Sequence, residues 1–151
     1  MRVISLWQPF ASLIFVGAKT YETRPMRFPT KLKGERIALH ATAKFTPDSM
    51  MKPDLIALCE ELFGVGFRHS LTRSAILGTV RLKQCHATDD LRDEIDMRNL
   101  LAGDWTPGRF AWELTDINSL TQAVPAKGKQ GWWSHDDEPL TFEIINEDKR
   151  K

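Results

Sequence analysis

A lysine, a glutamate and an arginine follow one another closely in the run Lys19-Thr20-Tyr21-Glu22-Thr23-Arg24. Side chains alternate along a strand, so a strand here places Glu22 and Arg24 on one face and Lys19 on the other. Because neither face carries an aliphatic residue, a strand here would contribute little to a hydrophobic core. The three charged groups suit a phosphate or a base edge, or acid–base chemistry. A structural Glu22–Arg24 ion pair explains the same pattern, and both interpretations stay open.

A second run, between Pro125 and Trp133, alternates basic, glycine and aromatic residues. Gly128 and Gly131 allow a tight turn in which backbone amides approach a ligand closely. Lys127 and Lys129 add positive charge, and Trp132 or its neighbour offers a stacking surface. This combination is typical of sites for single-stranded nucleic acid or an extruded base. The alternative is that Trp112 and one of the paired tryptophans belong to the core.

The charge of the chain is unevenly distributed. Its 21 basic and 20 acidic residues give a net charge of +1, which excludes a protein that holds nucleic acid by bulk charge alone. Residues 1–45 nevertheless carry a net +6, and residues 46–151 a net −5. The split indicates a positive face offered to an anion, although two ordinary solvated surfaces would give the same numbers.

Length and composition indicate one globular domain over residues 1–146 with a charged tail at 147–151. The 151 residues are 42% hydrophobic, and no run approaches the roughly 20 apolar residues of a membrane span. The two cysteines form no disulfide framework, so we expect a cytoplasmic protein without membrane contact. The histidines lack metal-ligand spacing and the glycines match no cofactor loop, so we expect neither metal nor cofactor.

Hydrophobic periodicity and turn residues predict short strands interrupted by helices. Strands are expected at residues 3–7, 19–24, 36–41, 76–82, 110–114 and 140–145. In the third strand, Ile37, Leu39 and Ala41 point inward and His40 lies on the opposite face. Helices are expected from Pro9 to Gly17, from about Pro53 to Gly64, and over 89–101 with Asp89 or Asp90 as the N-cap. The pattern predicts an α+β protein: a small, partly closed β-barrel of five or six strands with two to three peripheral helices.

Several motifs in this order resemble the ASCH domain (activating signal cointegrator homology). They are Ser5-Leu6-Trp7-Gln8-Pro9 with Ala11, Gly17-x-Lys19-Thr20-x-Glu22-x-Arg24, Ala38-x-His40-Ala41, Ile76-Leu77-Gly78, Phe110-Ala111-Trp112 and Lys127-Gly128-Lys129-Gln130-Gly131-Trp132. The match spans roughly residues 3–133. The resemblance implies a barrel related to the PUA fold, with a cleft that carries the Lys-Thr-x-Glu-x-Arg strand.

The ASCH resemblance also implies functions. Members of the family bind RNA or DNA, a small branch hydrolyses the acyl group of acetylated cytidine, and others are reported to cut RNA. In the amidohydrolase branch a nucleophilic threonine follows the cleft lysine by three residues, where this chain has Glu22. Neither Thr20 nor Thr23 fills that position, so this activity is not carried over.

The resulting prediction is a protein that binds RNA, other single-stranded nucleic acid or a nucleotide. The candidate binding residues are Trp7, Gln8, Lys19, Thr20, Glu22, Arg24, His40, Lys127, Lys129, Gly131 and Trp132. Lys19 and Arg24 would hold a phosphate or carbonyl, Glu22 an amino edge, and Trp7 or Trp132 would stack. The alternative is a hydrolase acting on RNA or a modified nucleoside, with Lys19 and Glu22 as acid–base residues. A protein-interaction adaptor is a third possibility, and nothing in the chain favours it.

Overall fold

The computed structural model describes residues 1–135, which contain six strands and five helices. The strands are β1 (Arg2–Gln8), β2 (Tyr21–Arg24), β3 (Arg36–Phe45), β4 (Ala75–Ala87), β5 (Phe110–Pro125) and β6 (Trp132–Ser134). The helices are α1 (Phe10–Phe15), α2 (Pro53–Phe63), α3 (Phe67–Ser70), α4 (Thr88–Leu91) and α5 (Met97–Leu101). Two single 3-10 turns lie at Thr30–Leu32 and Asp48–Met50. Within this part of the chain no helix is long and apolar enough to cross a bilayer.

All six strands belong to one mixed sheet with the order β2-β5-β4-β3-β1-β6. Only β1 and β3 pair in parallel, and every other neighbouring pair is antiparallel. The predicted α+β class and a six-strand sheet are confirmed. The sheet is not closed, because its edge strands β2 and β6 do not pair over the described residues. These edge strands are short, with four and three residues.

The sheet curls so that its two edges approach each other around the main hydrophobic core. The ring of Trp132 on β6 stacks on the ring of Trp112 on β5, with centroids 5.8 Å apart and planes 9° apart. Ile4, Leu39 and Val80 are fully or almost fully buried in the same cluster. The stack joins β6 to β5. The opening that remains between the edges of the sheet is a seam that runs along β2 and β1.

Both faces of β1 and β3 are covered. Leu39 packs in the main core, whereas Val3, Ala38 and Trp133 form a smaller cluster on the opposite face. His40 lies opposite Leu39, as alternation predicts, but it is only 1% exposed because this second cluster covers it. Cover on both faces makes β1 and β3 a rigid support for the residues at their ends.

The prediction of one helix over residues 89–101 is wrong, because the helix is not continuous and its predicted N-cap differs from the observed one. It is divided into α4 and α5, and the N-cap of α5 is Asp96, whose carboxylate accepts a hydrogen bond of 2.8 Å from the Asn99 amide. That cap starts a new helix, so the two segments do not run on. Sequence periodicity also missed α3 and β6. The predicted strand from Leu140 to Ile145 and the tail at 147–151 lie outside the described residues.

Candidate functional site

The open seam between β2 and β1 holds two adjoining cavities of about 570 and 530 Å³. Ser5, Trp7 and Arg24 line both of them. The guanidinium of Arg24 bridges the seam, because its Nη2 donates a hydrogen bond of 3.1 Å to the Ser5 carbonyl oxygen. We call the larger cavity the motif pocket and the smaller one the loop pocket.

The motif pocket is built around the carboxylate of Glu22. Its Oε1 lies 3.4 Å from Lys19 Nζ, and its Oε2 accepts a hydrogen bond of 2.7 Å from Arg24 Nε. Lys19 also donates a hydrogen bond of 2.5 Å to the Ala102 carbonyl oxygen, and it is only 1% exposed. The carboxylate thus lies between two cations: the Glu22–Arg24 ion pair exists, and it lines a cavity.

Lys19 does not follow the alternation expected of a strand residue. The strand begins at Tyr21, and the Lys19 amide instead bonds the Leu13 carbonyl oxygen of α1 at 3.0 Å. Freed from the ladder, its side chain turns to the same pocket as Glu22. The prediction that Lys19 lies on the face opposite Glu22 is therefore wrong.

Burial lowers the pKa of Lys19, and the positive charge of Arg24 lowers it further, while the attraction of Glu22 acts in the opposite sense. Desolvation is the largest of these effects because the ammonium is removed from water. An amine with a lowered pKa exchanges a proton more easily near neutral pH than an ordinary lysine does. Lys19 is thus suited both to donating hydrogen bonds and to acid–base chemistry.

An apolar wall and three further charged residues complete the motif pocket. The wall consists of Trp7, Phe10, Met50, Leu55, Leu100, Leu101 and Ala102. Lys52, Asp104 and Arg109 stand at its margin. A cavity lined mainly by apolar side chains with a few polar groups is the usual form of a small-molecule site.

The loop pocket is lined by positively charged side chains. Besides the shared residues, it is lined by His40, Thr42, Ala43, Lys44, Ser74 and the segment Lys127–Gly131. Among these described lining residues there is no carboxylate. Gly128 lies directly on the imidazole, since a Cβ at this position would be 2.6 Å from His40 Cε1. Only glycine permits this approach of the loop to the sheet.

His40 anchors the loop as a neutral imidazole of one defined tautomer. Its Nε2 lies 2.7 Å from the Ala126 carbonyl oxygen, which can only accept, so Nε2 carries the proton. Its Nδ1 accepts from the Ser5 hydroxyl at 3.0 Å, and that hydroxyl in turn accepts from Trp133 Nε1 at 3.2 Å. Burial lowers the pKa of His40, and the hydrogen bond to Ala126 only partly offsets this.

We expect the folded state to lose stability as the pH falls below 6.5, the ordinary value from which the pKa of His40 is lowered. Under these conditions the unfolded chain binds a proton at His40 that the folded chain does not. The contribution is fully present above the unfolded pKa and is lost as the pH falls through the folded one. Melting temperatures at about pH 7.5 and about pH 5.5 measure the effect.

The matched pair for this experiment is His40→Gln and His69→Gln, since His69 is exposed. The His40 variant should show a flatter dependence of melting temperature on pH than the wild type. The His69 variant should keep the wild-type dependence. An unchanged slope in His40→Gln would contradict the assignment.

Three of the sequence-predicted binding residues lie outside both cavities. Gln8 is fully buried, and its amide donates to the Thr72 carbonyl oxygen at 2.7 Å and accepts from the Ser12 amide at 3.0 Å. Thr20 Oγ1 accepts a hydrogen bond of 3.1 Å from Asn99. Trp132 stacks on Trp112 inside the curl of the sheet. Among the residues predicted to stack, this leaves Trp7 in the cavities.

The other eight predicted residues come together around the seam. They are Trp7, Lys19, Glu22, Arg24, His40, Lys127, Lys129 and Gly131. Sequence reasoning missed Ser5, Thr42 and Lys44. A signal existed for the last two, because alternation along β3 places His40, Thr42 and Lys44 on one face. Lys52 and Arg109 reach the motif pocket from distant segments, and no local pattern indicates them.

The described fold is similar to that of an ASCH protein of known structure. ASCH from Zymomonas mobilis superposes with a TM-score of 0.50 at 17% sequence identity, covering 99% of this chain and 90% of that one. Two mutants of the Zymomonas mobilis protein superpose with TM-scores of 0.48, at 20% and 21% identity, covering 82% of this chain and 74% and 72% of theirs. No protein-family model matches the sequence, and neither does any curated protein. The likeness to the first of these structures confirms the predicted fold.

Proposed function

We propose that the protein binds single-stranded nucleic acid, RNA in the first instance, in the seam between β2 and β1. The observation that carries the proposal is the charge around the two cavities. Seven basic residues line them against two carboxylates, although the whole chain is close to neutral. Such a concentration of cations on one surface attracts a polyanion and orients it.

The motif pocket suits an unstacked base. The apolar wall offers the Trp7 ring for stacking, and stacking on an aromatic ring contributes about 1–3 kcal/mol per base. The half-buried Glu22 carboxylate accepts a hydrogen bond from an exocyclic amino group. Arg24 and Lys19 donate to a carbonyl or phosphate oxygen. Recognition of splayed bases by stacking and edge contacts is the common mode for unpaired RNA.

The exposed lysines of the loop pocket suit the sugar–phosphate backbone. We expect Lys127→Ala/Lys129→Ala to weaken binding of a labelled single-stranded RNA 12-mer about tenfold at low salt. Each phosphate contact to a single strand contributes about 0.7 to the slope of log affinity against log salt, so the slope should fall by about 1.4. Fluorescence anisotropy over a series of salt concentrations measures both quantities.

The matched control is Lys31→Ala/Lys33→Ala, which removes the same charge from two exposed lysines outside both cavities. It should leave the affinity for RNA within about twofold of the wild type, because salt screens exposed charges that do not contact the ligand. Equal losses in the two double variants would point to non-specific attraction, and tight, salt-insensitive binding would contradict the electrostatic part of the proposal.

The Lys19–Glu22 pair favours a second candidate function, a hydrolase acting on RNA or a modified nucleoside. The supporting observation is a buried lysine with a lowered pKa beside a carboxylate in a cavity of substrate size. Incubation with labelled RNA and a panel of modified nucleosides tests it. Product that disappears in both Lys19→Ala and Glu22→Ala supports the enzyme. Retarded RNA without product supports a binding protein.

A further inference from the structure

The two cavities are arranged as successive positions along one ligand. Each volume lies within the range of about 300–1,000 Å³ that small-molecule sites occupy, so each has room for one nucleoside. They meet at Trp7, Ser5 and Arg24, and no other residue between 1 and 135 lines both. A ligand that occupies both must therefore pass this point.

Arg24 is the charged group at that point. Its Nε is committed to Glu22 and its Nη2 to the Ser5 carbonyl oxygen, which holds the guanidinium in one orientation. Nη1 donates no hydrogen bond to any residue between 1 and 135. The side chain remains 26% exposed, although it also contacts the Trp112 ring. A pre-oriented guanidinium with a free donor is suited to a phosphate oxygen.

The two cavities differ in chemistry on either side of Arg24. The motif pocket combines an apolar wall with the Glu22 carboxylate, a hydrogen-bond acceptor that suits the amino edge of a base. The loop pocket has Lys44, Lys127 and Lys129 and no carboxylate among its described lining residues, which suits the sugar–phosphate of a neighbouring nucleotide. Along the seam, a site for a base is therefore followed by the shared cation Arg24 and then by a site for the sugar–phosphate backbone.

We infer that the unit recognised is a dinucleotide step: one base enters the motif pocket against Trp7, the linking phosphodiester lies on Arg24, and the adjacent nucleotide occupies the loop pocket. This inference rests on the proposed binding of single-stranded nucleic acid. It adds that the ligand occupies both pockets. It also adds that Arg24 contacts the negatively charged phosphodiester between the two nucleosides.

Competition against a labelled RNA 12-mer tests the inference on the wild-type protein. The competitors are the dinucleoside monophosphates ApA, CpC, GpG and UpU, their methylphosphonate-linked analogues, and the corresponding mononucleotides. We expect the best dinucleoside monophosphate to compete at least tenfold better than its mononucleotide. Its methylphosphonate analogue, which has the same shape without the charge, should compete about tenfold less well.

Arg24→Lys keeps the charge and loses the planar fork, and it should reduce the preference for the charged linkage. Arg27→Lys is the matched control, because Arg27 is exposed and lines neither cavity, so this variant should keep that preference. The wild-type competition decides the matter even if Arg24→Lys is unstable. Charged and neutral linkages that compete equally, or mononucleotides as effective as dinucleotides, overturn the inference. A protein that fails to bind the 12-mer at all overturns the proposed function with it.

Discussion

Lys19→Met is expected to leave the protein folded and to weaken its affinity for single-stranded RNA at least tenfold. Methionine fills a similar volume, and burying it avoids the desolvation cost that lowers the pKa of Lys19. Glu22 keeps Arg24 at 2.7 Å, so no buried carboxylate is left without a cation. The main loss in stability is the buried hydrogen bond to the Ala102 carbonyl oxygen, about 1–3 kcal/mol. The affinity falls because a donor in the motif pocket disappears.

The informative comparison is Glu22→Gln. It leaves the buried Lys19 ammonium without its carboxylate, and removing one partner of a buried pair costs about 3–5 kcal/mol. Urea unfolding followed by tryptophan fluorescence should therefore show a larger loss in Glu22→Gln than in Lys19→Met. Anisotropy with the RNA 12-mer measures the loss of affinity. If Lys19→Met unfolds as easily as Glu22→Gln, Lys19 is a structural residue, and if it binds RNA normally, Lys19 is no part of the site.

Trp112→Ala is expected to cost about 3–5 kcal/mol of unfolding free energy, the usual range for deleting a large buried aromatic side chain. Trp112 is 1% exposed, and its indole Nε1 donates a hydrogen bond of 3.0 Å to the Met26 carbonyl oxygen. It also stacks on Trp132 and meets the Phe28 ring edge-on at 5.7 Å. For a chain of this length the melting temperature should fall by about 6–20 °C.

The Trp112 variant should also lose RNA affinity, because the stack on Trp132 joins β5 to β6 and the Trp112 ring contacts Arg24 at the seam. Trp7→Ala is the matched control. Trp7 is half-buried and lines both cavities, so its loss should destabilise the fold less than the loss of Trp112, which is 1% exposed. Its affinity should fall by about 1–3 kcal/mol through lost stacking. A Trp112→Ala protein that melts within about 3 °C of the wild type would contradict the role given to the stack.

Elements whose signals are local were predicted well. β1, β3 and α2 lie where alternation, helical spacing and the stop at Gly64 place them. The predictions failed where a cap inside a predicted helix, or a partner strand distant in the chain, determined the structure. The Asp96 cap divided the acidic helix, and the three-residue β6 exists only because β1 pairs with it. Such short elements depend on tertiary pairing and carry little intrinsic preference.

For the candidate site, the sequence by itself determined the chemical groups and most of their identities. Glu22 and Arg24 are neighbours on one strand face, and Lys127 and Lys129 flank a glycine, so their proximity follows from local geometry. Only the tertiary structure decided what these groups meet. Lys19 turned toward Glu22, and Arg24 reached the Ser5 carbonyl oxygen of another strand.

The same division applies to the tryptophans and to the charge. Sequence alone made Trp7 and Trp132 equal candidates for stacking, and the curl of the sheet placed Trp132 on Trp112 and left Trp7 in the cavities. Although the chain is nearly neutral, the folded protein has a positive surface at the seam. This is because the seam gathers basic residues from segments more than 100 positions apart. The physical reason is that side-chain identity and alternation are local properties, whereas contacts across the seam depend on how the whole sheet curls and where it fails to close.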